Sequence, residues 1–372
     1  MVGPVPPPYG GIASVMEDIV SSTLSSEFAF DIFPRSAGFT EGEDFWSRNL
    51  FRLKRFFRFF RRVRHGRYSL VHIHSADPVF LGTTIFMGLA RLAGSRILLH
   101  MHGTDWEWFY DAAPPLRKLY TRFGLRLADR ILVLYSLWRE NIERLGIRAE
   151  IDVLPNFVHG TQPPDPGSVH QMRQRLEIEE GAFVVVTVGT VGWRKGTFDI
   201  LEAIPAVEKK DPTTRFILVG GEEKPGEWDQ LMAIVQRDDL ETFVRFTGEI
   251  PRSNIAGILA LGDVFLLPSY IEGMPISIIE AMRAGLPVIA SRVNAIPDLI
   301  RDGVSGILIS PGDPDGIASA VLTLKETPLL RRRLAQGARK AFEERFEFAV
   351  AMARLRSVYE QMLAPGIPRC KP

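Results

Sequence analysis

The chain has 372 residues, 46% of them hydrophobic and 24% charged, proportions that suit a soluble globular protein with two domains of ordinary size. Its one cysteine, Cys370, excludes an internal disulfide framework, and its most apolar stretch, Val79 to Ala90, ends at Arg91 and is too short to span a bilayer. A net charge of +1 hides an asymmetry: Arg48 to Arg67 holds a dense run of Arg and Lys with no acid, so one strongly basic surface is carried on an acidic body.

The opening stretch, Val2-Gly-Pro-Val-Pro-Pro-Pro-Tyr-Gly10-Gly11-Ile-Ala-Ser-Val, reads as a strand end, a turn and a glycine-opened helix. It has no basic segment followed by an apolar core, so no secretory leader is expected. Almost no strand precedes the turn, so either a clipped chain or a misplaced start codon is expected, and a longer upstream reading frame with a run rich in Val and Ile would support this. Phe28 to Phe33 is predicted as the second strand. From Arg48 to Arg64, Leu53, Phe56, Phe57, Phe60 and Val63 recur at helical spacing with Arg48, Arg52, Arg55 and Arg62 largely opposite, so this stripe is expected to pack on the sheet. Phe51 and Phe59 fall outside it. Basic plus aromatic side chains favour an anionic membrane interface, contacted by Arg52, Arg55, Arg58, Phe59, Arg61 and Arg62. The plainer reading is a solvated face; no nucleic-acid module accompanies the patch.

Apolar runs then alternate with helical ones: Leu70 to His74, Val79 to Ala93, Arg96 to Gly103, Pro115 to Ala128, Arg130 to Leu134. This alternation predicts a parallel sheet with helices on both faces. His72 and His74 share a strand, as do His100 and His102. Such i,i+2 pairs without a supporting Cys or Asp set make a weak zinc signal, and no metal site is expected. His102 differs in sitting at the carboxyl end of its strand, just before Gly103-Thr-Asp105, where sheets of this kind bind ligands.

After the turn-rich connector at Thr161-Gln-Pro-Pro-Asp-Pro-Gly, a second α/β domain is expected. Phe183-Val-Val-Val-Thr-Val-Gly189-Thr190-Val-Gly-Trp-Arg194-Lys195-Gly196 is a buried strand followed by a glycine-rich loop with two cations and then a helix. Backbone N–H groups, the helix start and the cations fit a diphosphate. Further on, Val264 to Leu267 reads as a strand stopped by Pro268, and Pro275 to Ala284 as a helix ended by Gly285, with Pro275 suited to a first helical position. Glu272 lies in the loop and Glu280 in the helix. Two carboxylates beside an anion site need donors, and sugar hydroxyls are such donors. The ligand implied carries both phosphate and sugar.

These two acids, with seven residues between them in the setting Ser269-Tyr-Ile-Glu272-Gly-Met-Pro275 and Glu280-Ala-Met-Arg-Ala-Gly-Leu-Pro-Val-Ile-Ala290, resemble the E-x7-E signature of the retaining, nucleotide-sugar-dependent glycosyltransferases of family 4. The resemblance implies the GT-B fold: two doubly wound, Rossmann-like α/β domains facing a cleft. It divides the chain into an acceptor-side domain at 1–157, a donor-binding domain at 158–346, and a C-terminal helix and tail at 347–372 that crosses back to the first domain. It implies transfer of a hexose from a nucleoside diphosphate sugar to a hydroxyl of a saccharide or lipid-linked acceptor, with retention, at the inner face of a membrane. The leaving phosphate oxygen would take the acceptor proton. In residue terms, Gly10 and Gly11 would face donor diphosphate and acceptor, and His102 would lie beside the transferred sugar. Glu280 would hold the ribose, and Glu272 with Gly273, Met274 and Pro275 the sugar and phosphate. Lys195 matches the family lysine, whereas Thr190 stands where the family has arginine, so either Arg194 compensates or the phosphate is held less firmly. No cofactor beyond the donor and no metal is implied. The competing expectations are a nucleotide-sugar epimerase and a catalytically inactive sugar-nucleotide scaffold.

Overall fold

The structure is a computed structural model that describes residues 1–5, 11–35, 45–76, 81–103, 110–160 and 164–364; Gly10 of the glycine turn lies outside the described residues. The chain divides into two compact units, Met1–Pro155 with Ala351–Pro372, and Asn156–Val350.

In the first unit the order is β1 (Val2–Gly3), α1 (Gly11–Ser21), β2 (Phe33–Pro34), α2 (Phe45–Gly66), β3 (Leu70–Ser75), α3 (Leu81–Leu92), β4 (Arg96–Met101), α4 (Pro115–Arg126), β5 (Arg130–Val133), α5 (Ser136–Glu143) and β6 (Glu150–Val153). The strands form one parallel sheet in the order β2-β1-β3-β4-β5-β6. From β1 the chain steps first to one side, to β2, and afterwards always to the other. Right-handed crossovers therefore place α1 on one face and α2 to α5 on the opposite face. Side chains of β3 and β4 alternate accordingly: Val71, Ile73, Ile97 and Leu99 point one way, His72, His74, Leu98 and His100 the other, all of them buried.

The second unit comprises α6 (Pro166–Arg175), β7 (Phe183–Val188), α7 (Thr197–Glu208), β8 (Thr214–Val219), α8 (Glu227–Arg237), β9 (Val244–Gly248), α9 (Arg252–Leu259), β10 (Val264–Leu267), α10 (Ile276–Ala284), β11 (Val288–Ser291), α11 (Ile296–Leu299), β12 (Gly306–Ile309), α12 (Pro314–Glu326) and α13 (Pro328–Arg345). Its sheet, again parallel, runs β12-β11-β10-β7-β8-β9. Strands β7, β10 and β11 are buried along their whole length, which is why they read as unbroken apolar runs. Helix starts follow local chemistry: the Asp165 and Asp313 carboxylates accept from the backbone N–H of Ser168 and Gly316, each with a proline in the next position.

The last helix, α14 (Phe348–Leu363), belongs from Ala351 onward to the first unit. Its Tyr359 hydroxyl lies 2.8 Å from His72 Nδ1 and its ring packs edge-on against Phe28. Arg356 pairs with Glu27, and the Gln361 side-chain carbonyl accepts from Arg130.

Three expectations are corrected. Phe28 to Phe33 is not a strand: a 3-10 turn over Thr23–Ser26, capped by Ser22, leads into it, Phe28 and Phe30 turn toward Tyr359, and only Phe33–Pro34 pairs with β1. Helix α2 is rotated relative to the stripe. Phe59 is buried, edge-on to both Phe33 (5.2 Å) and Phe86 (4.9 Å), while Leu53 and Phe57 stand 65% and 62% exposed. The aromatic slot between β2 and α3 selects the helix face, so Phe59 is a core residue and not a surface contact. Among the expected basic contacts, Arg55 is half-buried and donates to the Arg35 carbonyl, and Arg62 is ion-paired with Asp31.

Phe59→Ala is expected to destabilise the protein by about 3–5 kcal/mol, whereas Phe57→Ala stays within about 0.5 kcal/mol. Urea unfolding of both variants checks this, and equal costs would place the helix in the other rotation.

Candidate active site

In the second sheet β7 and β10 are neighbours, yet the chain leaves them in opposite directions, to β8 and to β11. Their carboxyl ends are a topological switch point, the place where open α/β sheets bind ligands. Two loops meet there, 189–196 after β7 and 268–275 after β10. Gly196 has φ +70°, and a Cβ on it would lie 2.2 Å from the Pro268 carbonyl oxygen. Only glycine allows this approach. The Tyr270 N–H then donates to the Arg194 carbonyl at 2.8 Å and ties the loops together.

That backbone contact sets the side chains. Lys195 Nζ is 2.5 Å from Glu272 Oε1, which also accepts from the Ser269 hydroxyl at 2.7 Å. Arg194 donates through Nε to Glu223 at 2.5 Å and through Nη1 to the Ile271 carbonyl at 3.2 Å, with Nη1 3.9 Å from Glu272 Oε2. Its Nη2 lies 3.5 Å from Thr190 Oγ1, so the guanidinium occupies the space beside the position where the resemblance expected an arginine. Glu272 is buried and Lys195 is largely so, with 11% of its side chain exposed, and the two cations share acidic partners in a weakly solvated site where charge interactions are strong.

Gly273, Met274 and Pro275 are buried behind Glu272. The Asn156 backbone N–H faces Met274 Sδ at 3.1 Å, and its side-chain amide donates to the Met274 carbonyl at 2.9 Å, fixing the approach to α10. Pro275 is the residue before the helix and not its first turn; the unpaired N–H groups of that first turn follow directly. Glu280, one turn from the helix end, is buried 4.0 Å from Arg252. Burial raises its carboxyl above the usual range, against the pull of Arg252 and Arg283.

Sequence reasoning missed Glu223, Ser269, Asn156 and the stacking of Trp193 on Tyr270 at 4.6 Å. The signal for Glu223 was present, since it follows β8, the neighbour of β7. The other contacts depend on how the two loops meet.

In the first unit Gly11 opens α1. His102 follows β4, its Nε2 2.9 Å from His74 Nδ1. Burial holds His72, His74 and His100 well below the ordinary imidazole range and lowers His102 likewise, because none can be charged cheaply there.

Two family models match the chain: one described as glycosyl transferases group 1 at residues 168–341, and one described as glycosyl transferase 4-like domain at residues 35–156. The chain belongs to the glycosyltransferases of family 4. Its relatives include a GDP-mannose-dependent alpha-(1-6)-phosphatidylinositol monomannoside mannosyltransferase of Mycolicibacterium smegmatis, 28% identical over 89% of each chain. An N-acetyl-alpha-D-glucosaminyl L-malate synthase of Bacillus anthracis is 27% identical over 79% of this chain and 75% of that protein. Among solved structures, a glycosyltransferase of Rickettsia africae superimposes with TM-score 0.79 at 14% identity, covering 98% of each chain. HepE of Anabaena in complex with UDP gives 0.74 at 20% identity, covering 97% of this chain and 98% of that one. The fold of this glycosyltransferase is GT-B, and its class is that of the hexosyltransferases.

The buried imidazoles are expected to make the enzyme acid-labile. Their native pKa values lie below the unfolded value, so the unfolded chain binds more protons; stability is complete above pH 6.5 and falls as pH drops below it. Between pH 7.5 and 5.5 each such imidazole is expected to cost about 1.4 kcal/mol. Urea midpoints across this range test it, and a flat profile would contradict the neutral cluster.

Proposed function

We propose that this glycosyltransferase moves a hexose from a nucleoside diphosphate sugar to a hydroxyl of a lipid-linked saccharide, with retention at the anomeric carbon, beside an anionic membrane surface. The observation that carries the reading is the convergence of Lys195, Arg194 and Glu272 at the switch point of the second sheet, directly before the N-terminus of α10. A diphosphate placed there meets two cations and unpaired backbone N–H groups, which stabilise the charge developing on the departing phosphate. Glu272, an acceptor-only group, exchanges its ammonium partner for sugar hydroxyls as the phosphate takes the lysine. Arg194 supplies the second cation in place of the arginine absent at Thr190. Glu280 takes the ribose diol. On the first unit, His102 is the residue we assign to the sugar. The departing phosphate oxygen takes the acceptor proton, so no side-chain base is required, and no cofactor or metal enters the donor site.

Support for the lipid-linked acceptor comes from relatives: the mycobacterial enzyme is named for a phosphatidylinositol mannoside, and a 26% identical Escherichia coli relative for a diphosphoundecaprenol acceptor. Among the described residues no helix is long and apolar enough to cross a membrane. Contact is instead assigned to one face of the first unit. There α2 exposes Arg52, Arg58 and Arg61 beside Leu53 and Phe57. On the same side α4 exposes Leu116, Leu119 and Phe123 at helical spacing, flanked by Arg117, Arg122 and Arg126 with no acid in the helix. Helix α3, packed against both, adds Leu81 and Ile85. Apolar side chains framed by cations fit an anionic lipid interface.

Calorimetric titration with UDP-, GDP- and ADP-sugars is expected to show saturable binding of one nucleotide class, lost in Glu280→Ala. Lys195→Ala is expected to lower transfer about 100- to 1,000-fold. Transfer that survives Lys195→Ala and Glu272→Ala unchanged would sink the site assignment.

Replacing Arg52, Arg58 and Arg61 with Gln should weaken co-sedimentation with phosphatidylglycerol vesicles on the order of 100-fold, at about 1 kcal/mol per basic side chain. Unaltered sedimentation would refute the membrane face.

A further inference from the structure

On the α14 side of the first sheet, four imidazoles from two adjacent strands form one layer. His74 and His100 are register partners across β3 and β4, with His72 two residues before the first and His102 two residues after the second. Ring centroids are 4.2 Å apart for His72 and His74, 5.0 Å for His74 and His100, and 3.9 Å for His100 and His102. Apolar packing does not account for this. A buried polar nitrogen without a partner is costly, yet His72 Nε2, His74 Nε2 and both ring nitrogens of His100 have none. The opposite nitrogens of the first two rings are held: His72 Nδ1 by the Tyr359 hydroxyl at 2.8 Å, His74 Nδ1 by His102 Nε2 at 2.9 Å. One nitrogen held by an outer partner and the other left over is the pattern of metal-bound histidine.

We propose that His72, His74 and His100 form a binding site for one divalent late first-row metal ion, zinc foremost, separate from the donor site of the second unit. Each ring offers a nitrogen, and these lie within 4.8 Å of one another. Three imidazoles around zinc at about 2.0–2.1 Å bring their nitrogens to about 3.3 Å from each other, so ring shifts of under about 1 Å close the site. All three rings are held neutral by burial, the protonation state a metal ligand needs. Three neutral nitrogens suit zinc, copper or nickel better than magnesium or calcium. Entry is from the carboxyl edge of the sheet, where His102 is half-buried. The ion also fixes a proton: with its Nε2 on the metal, His74 carries hydrogen on Nδ1 and donates to His102 Nε2, so His102 keeps its own on Nδ1.

The test uses the full chain, stripped with a chelator and titrated with Zn2+ by calorimetry and with Co2+ by visible absorption. One ion per chain is expected, with the absorption of low-coordinate cobalt. His100 is the decisive position, because neither of its nitrogens has a partner to lose and His100→Leu should fold as the parent does by circular dichroism. It is expected to weaken binding by more than the 10- to 100-fold that loss of an outer partner costs. His72→Gln, which keeps a polar side chain, serves as the second ligand variant, and His170→Ala controls for the exposed helix α6. Absence of binding by the parent overturns the proposal. So does binding that persists in His100→Leu and His72→Gln, or that is lost in His170→Ala.

Discussion

The donor-side chemistry depends on one close approach between two backbones. Gly196 lies against the Pro268 carbonyl, at a distance no side chain permits, and through it the loops after β7 and β10 become one surface. Neither loop carries the site alone. The first supplies Thr190, Arg194 and Lys195, the second Ser269, Glu272 and the entry to α10, and the parallel order of the strands brings their ends together. A residue with a Cβ at 196 would separate Lys195 from Glu272 without touching either.

The arrangement also explains how a site with two cations stays intact before an anion arrives. Lys195 pairs with Glu272 and Arg194 with Glu223, so each positive charge is balanced within the protein. A buried charge without a partner would be costly. A diphosphate therefore replaces carboxylates and does not fill an unbalanced field, and its net gain is smaller than the number of contacts implies.

Much of this was legible in the residues. Strand–loop–helix punctuation located both loops, because Pro268, Gly285 and the glycines around Lys195 interrupt strongly periodic segments. What failed is what periodicity does not encode. The face of α2 is chosen by Phe33 and Phe86, which are distant in sequence, so Phe59 was misread as an exposed contact. The four histidines were visible as two i,i+2 pairs, but their meeting in one layer depends on the register of β3 against β4. Glu223 and Asn156 act across loops whose spacing a linear pattern does not contain.

The last helix has a consequence for synthesis. The second unit is one uninterrupted stretch, Asn156–Val350, whereas the first is closed only by residues from Ala351 onward. A chain leaving the ribosome can finish its second unit before its first. Until Tyr359 emerges, His72 Nδ1 lacks its hydroxyl partner and the histidine face of the first sheet is covered only in part, by α1, and a polar, half-built surface of this kind is where a nascent chain is exposed to aggregation or to chaperones. A stop codon before Ala351 would remove only the final helix, yet it would leave incomplete the unit that was made first.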